Sequence, residues 1–282
     1  MAIAEILIGA SIVAAPIPQP AQPAALRAAS SLPAQPHPAL WVVNDNDTII
    51  YLFGTFHALD GKAVWFQQAV KTAFTASDQL MLETLIPDSL RAPIQPQQIP
   101  ALPQQRGPLA KLAPSASSML ASSRTVMNAG RSEGMSTDRG ADAVLRDAAD
   151  RTGKPVGGFE SFQFQLSMFN SLPSTPQPSR PVPHDARAVR ALGNVLSNLE
   201  SAWTRGDVET AFTPLLMQME AQTPQAYRTM FVERNARWAR WIADRLKTPG
   251  TVFVAVGAGH LSGPDSVQNQ LTAIGVKSER IN

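Results

Sequence analysis

The sequence contains no cysteine among its 282 residues. This absence excludes disulfide bonds, thiolate ligands to a metal, a cysteine nucleophile and lipid attachment through cysteine. Two common hydrolase motifs are also missing, because the chain contains neither Gly-x-Ser-x-Gly nor His-Glu-x-x-His. The familiar serine-hydrolase and helical zinc-protease mechanisms are therefore disfavoured.

An excess of charge of one sign is also lacking. The chain has 24 Lys and Arg residues against 22 Asp and Glu residues, for a formal net charge of +2. No basic run with interleaved aromatic residues occurs, so we expect no nucleic-acid partner.

Only the N-terminus carries a signal-like apolar run. The segment "MAIAEILIGASIVAAPIP" places small residues near Ala14 and Ala15 after this short run, and a Pro/Ala-rich spacer follows. Such a pattern is typical of a secretory signal and is too short for a membrane span. We therefore expect residues 1–36 to be a signal peptide-like segment and spacer, no transmembrane span in the mature chain, and a periplasmic or secreted protein. A tail without fixed structure is the alternative.

The remaining residues, 37–282, contain enough apolar sequence for one large domain, since 44% of the chain is hydrophobic. Strand-like and helix-like segments alternate at both ends of this region, which predicts an α/β fold with a mixed, mainly parallel sheet flanked by helices. A long stretch with helical periodicity, roughly 87–247, predicts a large central helical insertion, interrupted by a strand at 155–160. Prolines recur in the first part of this stretch, and we interpret 87–131 as a lid.

Four apolar segments end on side chains that can bind a metal or carry a proton. The segments "IIYLFGTFH", "QLMLE", "PVGGFE" and "VFVAVGAGH" end on His57, Glu83, Glu160 and His260. Ligands of open α/β sheets bind beyond the carboxyl ends of the strands, so parallel neighbouring strands would bring these side chains together. We expect the glycines of the two Gly-x-x-His segments, Gly54, Gly257 and Gly259, to allow sharp turns there.

Two imidazoles and two carboxylates suit a divalent metal such as Zn, Mn or Fe(II). A metal held by them would lower the pKa of bound water to about 7, and a His–Glu pair without metal would still activate water as a general base. Both possibilities lead to hydrolysis. The structural alternatives are a hydrogen-bonded histidine for His57, a loop or cap residue for Glu83, and a first-turn helix residue for Glu160. The second Gly-x-x-His favours the functional interpretation.

Two further charged residues have ambiguous positions. Arg234 falls on the apolar stripe of the helix around "ERNARWARWIADRL", where it either reaches the rim of the packing or binds a substrate carboxylate or a developing oxyanion. Asp142 lies in the first turn of its helix, where the helix dipole explains it. A bond from Asp142 to a histidine is the weaker alternative.

Five segments together resemble the TraB/PrgY/GumN family. They are "PALWVVNDNDTIIYLFGTFHAL", "LMLE", "GADAVLRDAADRTGKPVGGFES", "ERNARWA" and "VFVAVGAGHLSGPDSVQNQLTAIGVKSERI". The resemblance implies an α/β domain with a helical insertion, related to the TIKI metalloproteases and more distantly to erythromycin esterases and ChaN-like haem-binding proteins. It places the family's histidines on His57 and His260, its acidic positions on Glu83 and Glu160, and its helical arginine on Arg234. It also implies a peptidase that uses Mn or Co, and a secreted or periplasmic location.

The sequence therefore predicts a metal-dependent hydrolase, first of all a peptidase, with a peptide or small-molecule substrate. His57 and His260 bind the metal (Mn, Co or Zn), Glu83 and Glu160 supply a ligand and a general base in an unassigned order, and Arg234 orients the substrate or stabilises the transition state. The alternatives are a non-catalytic peptide- or haem-binding protein using the same cleft, and a metal-free ester hydrolase using histidine and glutamate.

Overall fold

A computed structural model of the chain describes residues 36–86, 125–172 and 186–282. The predicted signal segment and nearly all of its spacer lie outside the described residues. So do most of the predicted lid and the proline-rich segment 173–183. In the described part of the chain, no helix combines the length and the apolar character that a bilayer crossing requires.

A six-stranded sheet forms the centre of the fold. Its spatial order is β4-β3-β5-β2-β1-β6. The strands are β1 Leu40–Asn44, β2 Thr48–Thr55, β3 Gln79–Leu85, β4 Val156–Ser161, β5 Gly250–Gly257 and β6 Glu279–Arg280. Their apolar, β-branched and aromatic residues are those that favour a buried pleated surface.

Four adjacent strands are parallel. β4 pairs with β3, β3 with β5, and β5 with β2, each in parallel. β1 pairs with β2 as an antiparallel hairpin, and β6 extends the sheet beyond β1, also antiparallel. The predicted α/β fold with a mixed, mainly parallel sheet is confirmed.

Helices flank this sheet. They are α1 Gln68–Ala76, α2 Ala141–Thr152, α3 Phe162–Ser171, α4 Ala186–Thr204, α5 Val208–Gln222, α6 Pro224–Tyr227, α7 Glu233–Arg245 and α8 Val267–Ala273. Residues 125–132 are also helical. Between α6 and α7 the chain forms a π-helical turn at Arg228–Val232, and 3₁₀ turns lie at Thr137–Arg139 and Ala258–Leu261. Helices α2 to α7 thus come between β3 and β5 in the chain, with β4 among them.

Local signals fix the helix ends near the sheet edge. α2 ends at Gly153, whose φ of 65° is left-handed and whose N–H donates back to the carbonyls of Ala149 and Asp150. α3 begins after Ser161, whose side chain accepts the N–H of Phe164. α1 begins at Gln68, and Trp65 and Phe66, which precede it, pack in an aromatic cluster.

That aromatic cluster holds the first Gly-x-x-His segment in place. Phe53 and Phe56 pack against Trp203 of α4, whose indole N–H donates to the carbonyl of Gly54 at 2.7 Å. Gly54 itself is required by close packing, because a Cβ there would lie 3.1 Å from Cα of Ala258. The two Gly-x-x-His segments therefore touch each other. None of their glycines has a positive φ, so close approach, not a left-handed turn, is the reason for Gly54.

Candidate active site

The four predicted site residues lie along one edge of the sheet, in the order of their strands. Glu160 is in β4 and Glu83 is in β3, each near the carboxyl end of its strand. His260 lies in the 3₁₀ turn after β5, and His57 follows β2. The fold brings Glu83, Glu160 and His260 into one buried cluster, and it gives His57 a different partner.

Arg234 lies at the centre of the buried cluster. Its Nη2 donates to Oε1 of Glu83 at 2.7 Å and to Oε2 of Glu160 at 2.8 Å. Its Nε donates to Oε1 of Glu160 at 2.9 Å. Its Nη1 donates to the carbonyl of Met230 at 3.1 Å and faces Nε2 of His260 at 3.3 Å. The side chain is fully buried, so Arg234 does not reach the rim of the helix.

The chain reaches this geometry through an irregular helix. Met230 belongs to the π-helical turn that directly precedes α7. π-helical segments are rare and often mark functional sites. The turn allows the carbonyl of Met230 to accept from Arg234 in the first turn of α7, and Trp238 covers the guanidinium with its ring centre 4.8 Å away.

Glu83 is ionised and held from three sides. Besides Arg234, its Oε2 accepts the N–H of Gly257 at 2.9 Å, and its Oε1 lies 3.3 Å from the amide nitrogen of Gln165. Burial alone would raise the pKa of Glu83, but the charge of Arg234 outweighs it and holds the pKa far below its usual range. An acid with such a low pKa does not take up a proton near neutral pH.

His260 is a neutral, fully buried imidazole. Burial lowers its pKa to about 3. Its Nδ1 lies 2.6 Å from Oδ1 of Asn235, and the Asn235 amide donates its N–H to the carbonyl of Asp265 at 2.7 Å. Because the amide is fixed in this way, its oxygen accepts, Nδ1 of His260 carries the proton, and Nε2 keeps the lone pair that faces Arg234.

His57 differs from His260, because one of its ring nitrogens is hydrogen-bonded and the other has no hydrogen-bond partner. Its Nδ1 hydrogen-bonds to Oδ2 of Asp142. Its Nε2 is buried and has no hydrogen-bond partner, although the side chain as a whole is 20% exposed. Burial would raise the pKa of Asp142, but the neighbouring imidazole of His57 lowers it overall. A buried nitrogen without a partner is rare in folded proteins and marks a place for a water, an ion or a substrate atom.

The N-terminus of α2 packs closely against the backbone of Phe56 and His57. The N–H of Ala141 donates to the carbonyl of Phe56 at 2.9 Å. A Cβ at Gly140 would lie 2.1 Å from the carbonyl oxygen of His57, so only glycine permits this approach. The close contact places Asp142, two residues later, beside the imidazole.

Arg237 connects the buried cluster to the surface. Its Nη2 donates to Oε1 of Glu160 at 3.3 Å, and its side chain is 42% exposed. The guanidinium lies 5.3 Å from the ring centre of Phe164, which is itself 43% exposed. Arg237 also lines a groove of about 660 Å³ together with Tyr227, Arg228, Arg240 and Asp265.

Comparison with known proteins identifies the family of the chain but no individual relative. The sequence model of the TraB/PrgY/gumN family matches residues 39–116 and 101–280. The chain belongs to this family. No curated protein and no solved structure matches the chain. The match covers both Gly-x-x-His segments and both glutamates of this family member, and it assigns none of them a role.

The buried cluster of this family member does not fit the predicted divalent ion. Across the described residues, no group of three or more His, Asp or Glu side chains is placed to hold a metal. Arg234 explains this at the edge of the sheet, because its guanidinium occupies the space between Glu83, Glu160 and His260. The predicted metal stays a prediction, with Nε2 of His57 as the donor atom that remains without a partner.

Three residues of the site were missed or undervalued by the sequence. Asp142 was interpreted first as a helix-dipole residue, but it binds His57. Asn235 and Arg237 were not singled out, although they hold His260 and Glu160. The available signal for both was their closeness to Arg234 in "ERNARWA", since Asn235 directly follows Arg234 and Arg237 lies three residues after it, about one helical turn away.

Proposed function

We propose that the protein is a hydrolase of peptide or related carbonyl substrates, in which His57 takes the proton from the attacking water. One observation carries this proposal. Nδ1 of His57 is bound to Asp142, while its Nε2 is buried at the sheet edge without a partner. A nitrogen in this state is positioned to act on a water or substrate group that reaches it.

Asp142 supports this role in a specific way. A carboxylate on Nδ1 fixes the tautomer with the proton on that nitrogen, leaves the lone pair on Nε2, and stabilises the imidazolium that forms when Nε2 is protonated. The low pKa of Asp142 keeps the carboxylate ionised. In the proposed reaction water gives its proton to Nε2, the hydroxide attacks the carbonyl carbon, and the imidazolium returns the proton to the leaving group.

The buried cluster has a positioning role in this proposal. Glu83, Glu160 and Arg234 were predicted to be catalytic, and those roles stay predictions. Their contacts favour another function, since the hydrogen bonds of Arg234 join β3, β4 and α7 at the edge where His57 lies. The cluster would hold that edge rigid while His57 reacts.

Arg237 is the arginine we assign to the substrate. Unlike Arg234 it is partly exposed, it lines a groove, and its guanidinium rests on an exposed aromatic ring. An arginine in that position suits a carboxylate, which it binds through two parallel N–H bonds. We expect Arg237→Gln to raise KM more than it lowers kcat.

A metal-dependent hydrolase is the second candidate, and the geometry of His57 favours it too. Histidines that bind metals usually donate their other ring N–H to a carboxylate, as His57 does to Asp142. A bound Mn, Co or Zn ion would polarise a substrate carbonyl or acidify water. The periplasmic or secreted location also remains a proposal, because it rests on the N-terminal segment.

Cleavage of a peptide library by purified protein tests the function. Peptides would be incubated with and without a chelator, then with Mn, Co or Zn, and analysed by mass spectrometry. We expect wild type to cleave, His57→Asn to lose about 10²- to 10⁴-fold of the rate, and His37→Asn to serve as an unaffected histidine control. Chelator-resistant cleavage selects the metal-free mechanism, and chelator-sensitive cleavage selects the second candidate. Peptide or haem bound but never altered would make this a binding protein.

A further inference from the structure

We infer that Arg234 takes the place of a divalent cation at the buried centre, and that removing its side chain would convert Glu83, Glu160 and His260 into a metal site. The inference does not rest on the proposed hydrolase activity. It concerns which cation balances the carboxylates at the carboxyl edge of the sheet.

The first step is the balance of charge. Two carboxylates face two guanidinium groups, since Arg234 binds Glu83 and Glu160, and Arg237 reaches Glu160. His260 contributes no charge, because its Nδ1 carries the ring proton towards Asn235 and its Nε2 faces an N–H of Arg234. A divalent ion added to this balanced set would bring two uncompensated charges into a buried site, which the loss of their hydration strongly disfavours. A metal could therefore enter only if Arg234 left.

The second step is the space. The N–H groups of Arg234 make contacts of 2.7 Å with Glu83 and 2.8 Å with Glu160, and its Nη1 lies 3.3 Å from Nε2 of His260. The guanidinium thus directs its N–H groups at the same three acceptors that a metal would need.

The third step is what would remain without the guanidinium. Oε2 of Glu83 lies 3.9 Å from Nε2 of His260. Two ligands with bonds of about 2.1 Å to one tetrahedral ion lie roughly 3.4 Å apart, so a small adjustment would suffice. Asn235 already orients the ring so that the Nε2 lone pair faces inward, which is how outer-shell residues prepare metal-binding histidines. Glu160 faces the same position of the guanidinium, since its Oε2 accepts from the Nη2 of Arg234 that also donates to Glu83, and it is the third ligand that the inference requires.

The test compares metal binding by wild type, Arg234→Ala and Arg237→Ala, each stripped with chelator and titrated with Mn, Co and Zn by calorimetry. Arg237→Ala is the matched control, because it also removes a guanidinium from Glu160. We expect Arg234→Ala alone to gain one binding site, to lose it when Glu83→Gln is added, and to rise in Tm when metal is present. Introduced into wild type, Glu83→Gln should leave any metal binding unchanged. If wild type binds a metal at His57, that binding should be lost with His57→Asn.

Two results would overturn the inference. One is wild type binding a divalent ion with one-to-one stoichiometry that Glu83→Gln abolishes. The other is an Arg234 variant that gains no site. If Arg234→Ala fails to fold, Arg234→Gln is used in its place. If neither Arg234→Ala nor Arg234→Gln folds even with added metal, the result counts against the inference, because a bound ion should replace the positive charge that was removed.

Discussion

Arg234 and Glu83 are 151 residues apart in the sequence, yet Nη2 of one lies 2.7 Å from Oε1 of the other. This single ion pair joins α7 to β3. A second carboxylate, that of Glu160, also binds Arg234 and so joins β4 to the same helix. The pair is buried and fully hydrogen-bonded, so its importance shows when one partner is removed, because the other charge is then left buried alone.

Replacement of Arg234 by Met should therefore destabilise the protein severely. We expect the free energy of unfolding in urea to fall by about 3–5 kcal/mol, since two buried carboxylates lose their counter-charge. Arg237→Gln, which removes a partly exposed partner of Glu160, should lower it by no more than about 1 kcal/mol. Equal losses for the two variants would show that burial of Arg234 does not matter.

His260 should remain neutral throughout the physiological pH range. Its pKa is lowered to about 3 by burial, and Asn235 fixes the proton on Nδ1. Nitrogen-detected NMR of the ring should show the Nδ1–H tautomer unchanged from pH 5 to 8. A ring that titrates between pH 6 and 7 would contradict the burial and the Asn235 contact.

The low pKa of His260 also sets a pH dependence of stability. A histidine with a folded pKa near 3 and an unfolded pKa near 6.5 takes up its proton mainly in the unfolded chain. Its contribution is fully present above pH 6.5 and is lost as the pH falls towards 3. The unfolding free energy of wild type should therefore decline through this window.

Glu200 should oppose stability at neutral pH. Its carboxylate on α4 accepts the N–H of Asp60 at 2.9 Å, and burial, with a contribution from the nearby Asp60 carboxylate, raises its pKa to about 7. Because the folded state holds this proton more tightly than the unfolded state, its stabilisation is present below about pH 4.5 and is lost as the pH rises to 7.

Glu200→Gln keeps the acceptor for Asp60 and removes the ionisation. We expect the variant to be more stable than wild type by about 1–3 kcal/mol above pH 7, and the difference to vanish near pH 4. The same change at the exposed Glu279 serves as the control and should have no pH-dependent effect. A pH-independent difference at Glu200 would argue against a raised pKa.

Gly140 should be intolerant of any side chain. A Cβ there would collide with the carbonyl oxygen of His57, so Gly140→Ala must displace the segment that presents the imidazole. We expect a loss of about 1–3 kcal/mol in unfolding free energy together with loss of cleavage. Gly130→Ala is the matched control, since a Cβ there meets neighbours no closer than 3.5 Å and alanine favours the helix. Equal behaviour of the two variants would contradict the close contact.

Local patterns predicted the sheet and the common edge on which the four side chains lie. Apolar runs that end on His57, Glu83, Glu160 and His260 identified four strands, and the parallel order of β4, β3, β5 and β2 follows from helices that separate them. The common edge was therefore predictable, because the carboxyl ends of parallel strands face the same way.

Which side chains bind each other along that edge was not predictable. The sequence placed Arg234 on a buried face, but its partners are 74 and 151 residues away, and helical periodicity carries no information on such distances. The first-turn position of Asp142 is equally well explained by the helix dipole, so nothing local selects His57 as its partner. The two Gly-x-x-His segments look alike in sequence and differ in burial, which only tertiary packing determines.

The most direct test of the reactive role of His57 is chemical rescue of cleavage. In His57→Ala, we expect peptide cleavage to fall by about 10²- to 10⁴-fold and added imidazole to restore part of it in proportion to its concentration, because the free base occupies the vacated space beside Asp142. His260→Ala should not be rescued. A His57→Ala protein that cleaves at the wild-type rate would contradict the assignment of His57 as the proton acceptor.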